Sequence, residues 1–281
     1  MSTDAYFFRR FIFLALPGLF LAIGCNSPQV WVEAERHLEL DAADIQQLAI
    51  ENDNGSILVR GIDSGTNDNK IYVDVRVRAG GKDQVEAEAC LGAIEIEAAP
   101  VTRKIQLVRT NWLRAKRPDW GQRLSYSVRL PKRMAVQAQT DNGRITVEDT
   151  AGPIVLDSGN GALVIRGGAR EVRAHSGNGR IVVQTAAPDI DLDSGNGSIQ
   201  ADLTANGPVA GRIDTGNGRV RVGFSPNTFA DLTVNTGNGR IRARSLNVKD
   251  LYTTRSSLRG TIGEGGGTLR IRTGNGSVTL E

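Results

Sequence analysis

Three aspartates, Asp157, Asp193 and Asp214, each stand just before a copy of one short glycine-asparagine phrase, and His175 holds the same place between the first two. Acids that recur at one place in a repeat line up when the repeats stack, and such a column could cleave a polysaccharide by general acid/base chemistry. The same place holds Gln139, Asn235 and Arg272 in other copies, so the column is most simply a solvated polar edge. The chain has two histidines, His37 and His175, which leaves little material for a His-dependent triad or a His-rich metal site. The glycine phrases precede no helix, which argues against a nucleotide-binding loop. Calcium-binding glycine repeats carry an oxygen ligand where this chain has Arg180 and Ile181. No metal, cofactor or catalytic residue is therefore expected.

Cations repeat as well. Arg144, Arg180, Arg219 and Arg240 directly follow Asn-Gly, alternating with Ala162, Ser198 and Ser277 in other copies. From Ala205 to Glu281 there are eleven cations against five acids, although the whole chain is only +3. A stacked basic strip would attract anionic envelope polymers or lipid headgroups. It would also keep strand edges soluble with no ligand at all. A second cluster lies in the loop-like stretch 107–123, marked by Pro118 and Gly121. Here Trp112 and Trp120 sit among Arg114, Lys116 and Arg117. Such a loop could stack on sugars or sit at a headgroup layer, or its tryptophans could cover one end of the core.

The elements that must position these residues are written in the phrase itself. It reads Ser158-Gly159-Asn160-Gly161 and recurs with Asn178, Asn196, Asn217, Asn238 and Asn275, after an imperfect Thr140-Asp141-Asn142-Gly143. The asparagines step by 18, 18, 18, 21, 21 and 37 residues, the last gap holding a decayed copy near Ser256-Ser257. Each phrase is followed by an alternating run such as Arg180-Ile181-Val182-Val183, the pattern of a strand with one buried face. Asn-Gly alone also suits antiparallel hairpins. A constant period favours an all-β solenoid of roughly 18–21-residue coils, in which Asn142, Asn160, Asn178, Asn196, Asn217, Asn238 and Asn275 form a ladder of stacked amides. Glycines beside each asparagine are expected to supply corners of positive φ, and the two 21-residue coils to carry loop insertions on one edge.

The N-terminus reads as a targeting segment rather than fold. Arg9 and Arg10 precede an apolar stretch, Phe11 to Gly24, too short for a comfortable membrane span. Its end, Leu21-Ala22-Ile23-Gly24-Cys25, resembles a bacterial lipoprotein signal, whose cysteine becomes the lipidated first residue. That resemblance implies a signal over 1–24, lipid attachment at Cys25 and a tether over 25–46. Asn26 after the cysteine implies an outer-membrane anchor facing the periplasm. The export signal disfavours nucleic acid as a partner. Cys90 has no internal disulfide partner and sits on the apolar side of a short helix predicted within Gly80–Leu91. Residues 47–135 are expected to form a β-rich cap containing that helix, and 136–281 the repeat array.

The "NGSI" corner near Asn54, the "TDNGRITVEDTAG" stretch and the run of "SGNG" coils resemble the DUF4097 family of candidate adhesins, related in style to the head-GIN domain. The likeness covers roughly Gln47 to the end. It implies an exported or membrane-tethered β-solenoid with no catalytic residues to carry over. The expected function is a non-catalytic cell-envelope lipoprotein, an adhesin-like scaffold or interaction module. Its partners would be the membrane, through the anchor, and anionic envelope polymers or another envelope protein. Two rivals stand beside it: an enzyme acting on envelope polysaccharide through Asp157, Asp193 and Asp214, and an envelope-stress accessory protein.

Overall fold

The computed structural model of the protein describes residues 28–63, 69–112, 121–168, 170–244 and 246–281. Among them two sheets, of eleven and thirteen strands, run side by side along the stack, with one helix, Gln84–Gly92. A coil consists of one strand in each sheet joined by a glycine-asparagine corner, as in Ile154–Ser158 followed by Leu163–Gly167. Successive coils pair in parallel and in register: Asp157 lies beside His175, and Leu163 beside Ile181. The protein is an all-β solenoid. Alternation explains the packing, because Ile154, Leu156, Leu163 and Ile165 point inward at no more than 1% exposure while their neighbours face water. Burial of each such side chain contributes about 1.5–3 kcal/mol, and the inner faces of both sheets join one continuous core.

The middle of the stack follows chain order, through coils 135–150, 154–167, 171–185, 189–203 and 210–224. Its ends do not. The strand Gln47–Asn54 pairs in parallel with Ala135–Asn142 on one side and Ile105–Trp112 on the other. Residues 47–62, assigned from sequence to a cap, are thus a coil inside the stack, and the later strands Ile105–Trp112 and Gln122–Pro131 lie outside them. At the other end, Thr268–Thr273 and Val278–Leu280 insert between the coil 210–224 and the coil 228–243. The stretch near Ser256-Ser257 is not a decayed coil. Val248–Thr253 and Ser257–Ile262 form an antiparallel hairpin against Thr228–Thr236. The three extra residues per long coil do sit together on one edge, where Gly207–Pro208 pairs with Thr228–Phe229.

Both ends are closed by antiparallel strands. Val30–Asp41 pairs with Lys70–Gly81, which pairs with Gln122–Pro131, and the helix packs on the first two. The helix begins at the Asp83 cap, whose carboxylate accepts from the Glu86 N–H at 2.8 Å, and it buries Cys90. The outermost strand carries Glu33, Glu35 and Glu39 opposite Arg78, Arg76 and Lys70. Exposed pairs add little stability, but a charged edge resists pairing with another chain.

Candidate functional site

The corner is where the side chains with chemistry gather. Its serine or threonine turns inward: Ser158, Ser176 and Ser194 are completely buried. The Ser176 hydroxyl accepts from the Gly179 N–H at 2.8 Å and donates to the Gly161 carbonyl of the preceding coil at 3.0 Å. Thr215, Thr273 and Thr236 donate in the same way at 2.8–2.9 Å. A hydroxyl is therefore needed at each phrase to satisfy backbone groups that water cannot reach. The invariant Ser/Thr of the repeat carried this signal, and the strand pattern alone did not reveal it.

Gly55, beside Asn54, takes the expected positive φ, at 133°, but the glycines of the regular array serve a different end. None of Gly159, Gly161, Gly177 or Gly179 has positive φ, and neither does Asn160 or Asn178. What they supply is room. A Cβ on Gly179 would lie 1.7 Å from the Gly161 carbonyl oxygen and 2.5 Å from the Ser176 hydroxyl. Coils stacked at the spacing of paired strands, about 4.8 Å, leave no space there for a side chain.

The amides do stack, as the sequence predicts, but in another order. Each asparagine donates its Nδ2 to the Oδ1 of the neighbour below. The run is Asn142 to Asn54, Asn160 to Asn142, Asn178 to Asn160, Asn196 to Asn178, Asn217 to Asn196, Asn275 to Asn217 and Asn238 to Asn275. All seven distances fall between 2.7 and 3.0 Å. Asn54 joins the ladder, and Asn275 sits between Asn217 and Asn238.

That insertion reorganises the arginines. Read along the stack, the residue after each corner is Ser56, Arg144, Ala162, Arg180, Ser198, Arg219, Ser277 and Arg240. Chain order would put Arg219 and Arg240 on adjacent rungs. The C-terminal coil puts Ser277 between them, so every arginine is two strand spacings, about 9.5 Å, from the next. Like charges on adjacent rungs repel, and a small neighbour on either side relieves that repulsion.

Around the inserted coil the strip deepens into a groove of about 960 Å³. Arg219 and Arg221 form one wall, Arg240 and Arg242 the other, and the short side chains of Ser277 and Thr279 form the floor. Arg244, Arg255 and Ser256 extend it. Arg221 is held by Glu281, with Nε to Oε1 at 2.6 Å and Nη2 to Oε2 at 2.9 Å. Among the described residues, no acidic side chain pairs with Arg219, Arg240, Arg242, Arg244 or Arg255. Some outward arginines elsewhere do have partners: Arg60 and Arg166 both donate to Glu148, holding its carboxyl below the usual range, and Arg109 donates to Glu97. Arg221, Arg242, Arg244 and Arg255 belong to the basic C-terminal half but lie outside the strip that the sequence predicts. Their outward position two residues beyond Arg219 and Arg240 was the available signal for the first two.

The acidic column lies on the outer face of the other sheet. Gln139, Asp157, His175, Asp193, Asp214, Arg272 and Asn235 follow one another rung by rung. His175 Nδ1 meets Asp193 Oδ2 at 3.0 Å, and Arg212 meets Asp191 at 3.0 Å and Asp214 at 3.7 Å. Burial pushes the Asp214 carboxyl above the usual range, and its Oδ1 has no hydrogen-bond partner. The column is thus interrupted by His175 and Arg272, with Asp193 paired across rungs to His175 and Asp214 beside Arg212 of its own strand. Cys25 and the loop residues Arg114, Lys116, Arg117 and Trp120 lie outside the described residues, and of Trp112 only the backbone, at the end of Ile105–Trp112, is described.

No family model matches the chain, and no curated protein matches its sequence. Among solved structures, the chain is similar to a candidate cell adhesion protein from Clostridium sporogenes ATCC 15579, at 11% identity and TM-score 0.43, over 89% of this chain and 99% of that one. It is similar to a candidate adhesin from Parabacteroides distasonis ATCC 8503, at 13% identity and TM-score 0.43, over 88% and 97%. A candidate lipid binding protein from the same strain matches at 9% identity and TM-score 0.29, over 88% and 96%.

Proposed function

We propose that this chain is a non-catalytic, adhesin-like interaction module of the cell envelope, of the DUF4097 kind, lipid-anchored through Cys25 at the outer membrane. Its working surface is the arginine edge, which holds an anionic envelope polymer. One observation carries this reading: Arg144, Arg180, Arg219 and Arg240 recur on every second rung along one line, with a small residue between each pair. A rigid stack presents these charges at a constant interval of about 9.5 Å, which suits a long ligand with repeated charge better than a compact one. Multivalent contact of this kind gains affinity from each added charge without any deep pocket.

Polygalacturonate, a carboxylate polymer, serves as the probe. The wild-type protein should bind it at low salt and release it as salt rises, because exposed charges are screened over about 8–10 Å. Replacing Arg144, Arg180, Arg219 and Arg240 together by Gln should weaken that binding at least tenfold. Equal retention of the quadruple variant would remove the arginine edge from the function.

A further inference from the structure

We propose that the groove at the C-terminal end of the edge is a site for phosphoryl groups, distinct in ligand chemistry from the rest of the strip. This rests on the reading of the edge as an anion-binding surface and names the ligand class of its deepest part. Along the rest of the edge every second rung contributes one arginine: two residues beyond Arg144 and Arg180 stand Thr146 and Val182. On the two rungs that flank the inserted coil the arginine is doubled, as Arg219 with Arg221 and Arg240 with Arg242. Arg244 and Arg255 approach from the same end.

The walls stand two strand spacings apart, about 9.5 Å, over a floor made low by Ser277 and Thr279. A guanidinium presents its donors as a flat fork that meets two oxygens at once. One carboxylate has two oxygens and is satisfied by a single fork, as Glu281 is by Arg221. A terminal phosphoryl group has three oxygens in a tetrahedron and can accept forks from both walls together. The hydroxyls of Ser277 and Thr279 lie between the walls as further donors, and Ser256 stands beyond the outer wall. Five guanidiniums gathered without an acidic partner repel one another, and a dianion seated between them removes that cost. A lipid headgroup and a phosphorylated polymer share this chemistry.

The test uses the mature chain with Cys25→Ser, so that no lipid anchor contributes, and inorganic pyrophosphate as the titrant. The wild-type groove should bind pyrophosphate at least tenfold more tightly than the dicarboxylate succinate. Arg242→Gln/Arg255→Gln, which leaves the alternating edge intact, should lose at least tenfold in pyrophosphate affinity while its binding to polygalacturonate stays within twofold. Flotation with vesicles containing phosphatidic acid, set against binding to soluble polyphosphate, then separates the two sources, and a preference for either supports the site. Equal affinity for pyrophosphate and succinate, or an unchanged double variant, overturns it. Polygalacturonate binding that survives such a result leaves the edge reading in place. Pyrophosphate binding without polygalacturonate binding leaves the groove and removes the edge.

Discussion

The middle of the stack and its C-terminal end are built from the same phrase yet obey different rules. Between 135 and 224 each coil lies on the one that precedes it in the chain, so neighbours in sequence are neighbours in space. Beyond 224 the chain leaves a slot, builds the outer coil 228–243 and the hairpin 248–262, and returns to fill the slot with 268–280. The middle shows that a repeated corner is sufficient to make a rung. The end shows that it does not say which rung. There the order is set by long-range contacts, and that order creates a groove with arginines on both walls.

The sharpest way to break this comparison is to fill the corner. A Cβ at Gly179 strikes the carbonyl below while another coil closes the space above, so Gly179→Ala should cost about 3 kcal/mol or more in urea unfolding. Gly239 meets a similar clash, 1.8 Å from the Gly276 carbonyl, but the strand Ile241–Ala243 that follows it is the edge of its sheet and can lift. Gly239→Ala should therefore cost less than half as much. Equal costs would mean that the outer coil is held as tightly as the middle.

The amides provide a gentler test of the same contrast. Asn178 both donates to Asn160 and accepts from Asn196, whereas Asn238 donates to Asn275 and, among the described residues, accepts from no further rung. Asn178→Ala should cost about 1–2 kcal/mol and Asn238→Ala about half that, since each exchanged hydrogen bond contributes about 0.5–1.5 kcal/mol. Indistinguishable melting curves for the two variants would remove the ladder from the stability of the fold.

The smallest effect is expected where the middle meets the inserted coil. Asp214 stands between Asp193 and Arg272, its carboxyl pushed up by burial. A raised carboxyl binds its proton more tightly folded than unfolded, so its contribution to stability improves as pH falls through the folded value and is unfavourable above it. Asp214→Asn should leave the melting temperature at pH 7 unchanged or raise it by up to about 2 °C, and should abolish the part of the acid-side gain due to this residue. A clear loss at pH 7 would show that the Arg212 pairing outweighs the burial.

Much of this was legible in the residues. The 18-residue step of Asn160, Asn178 and Asn196 foretold their hydrogen bonds, because a constant period in a stack maps onto a constant rise. Alternation in Ile181-Val182-Val183 identified the inward face for the same reason. The glycines misled, since close approach between coils and positive φ leave the same residue in the sequence. Ser256-Ser257 misled because a two-period gap looks like a lost repeat whether the chain forms a coil or a hairpin there. The groove was illegible because its walls, Arg221 and Arg242, are 21 residues apart, and its floor comes from a third coil at Ser277 and Thr279.

The sequence by itself determined what each rung is: which residues face inward, which hydroxyl closes the corner, which amide reaches the next one. These depend on pairing and alternation within about twenty residues and are repeated wherever the phrase is repeated. Only the tertiary structure decided the order of rungs at the two ends, because every slot offers the same hydrogen bonds to any coil that carries the phrase. Charge spacing and end closure distinguish one slot from another, and those are properties of the assembled stack.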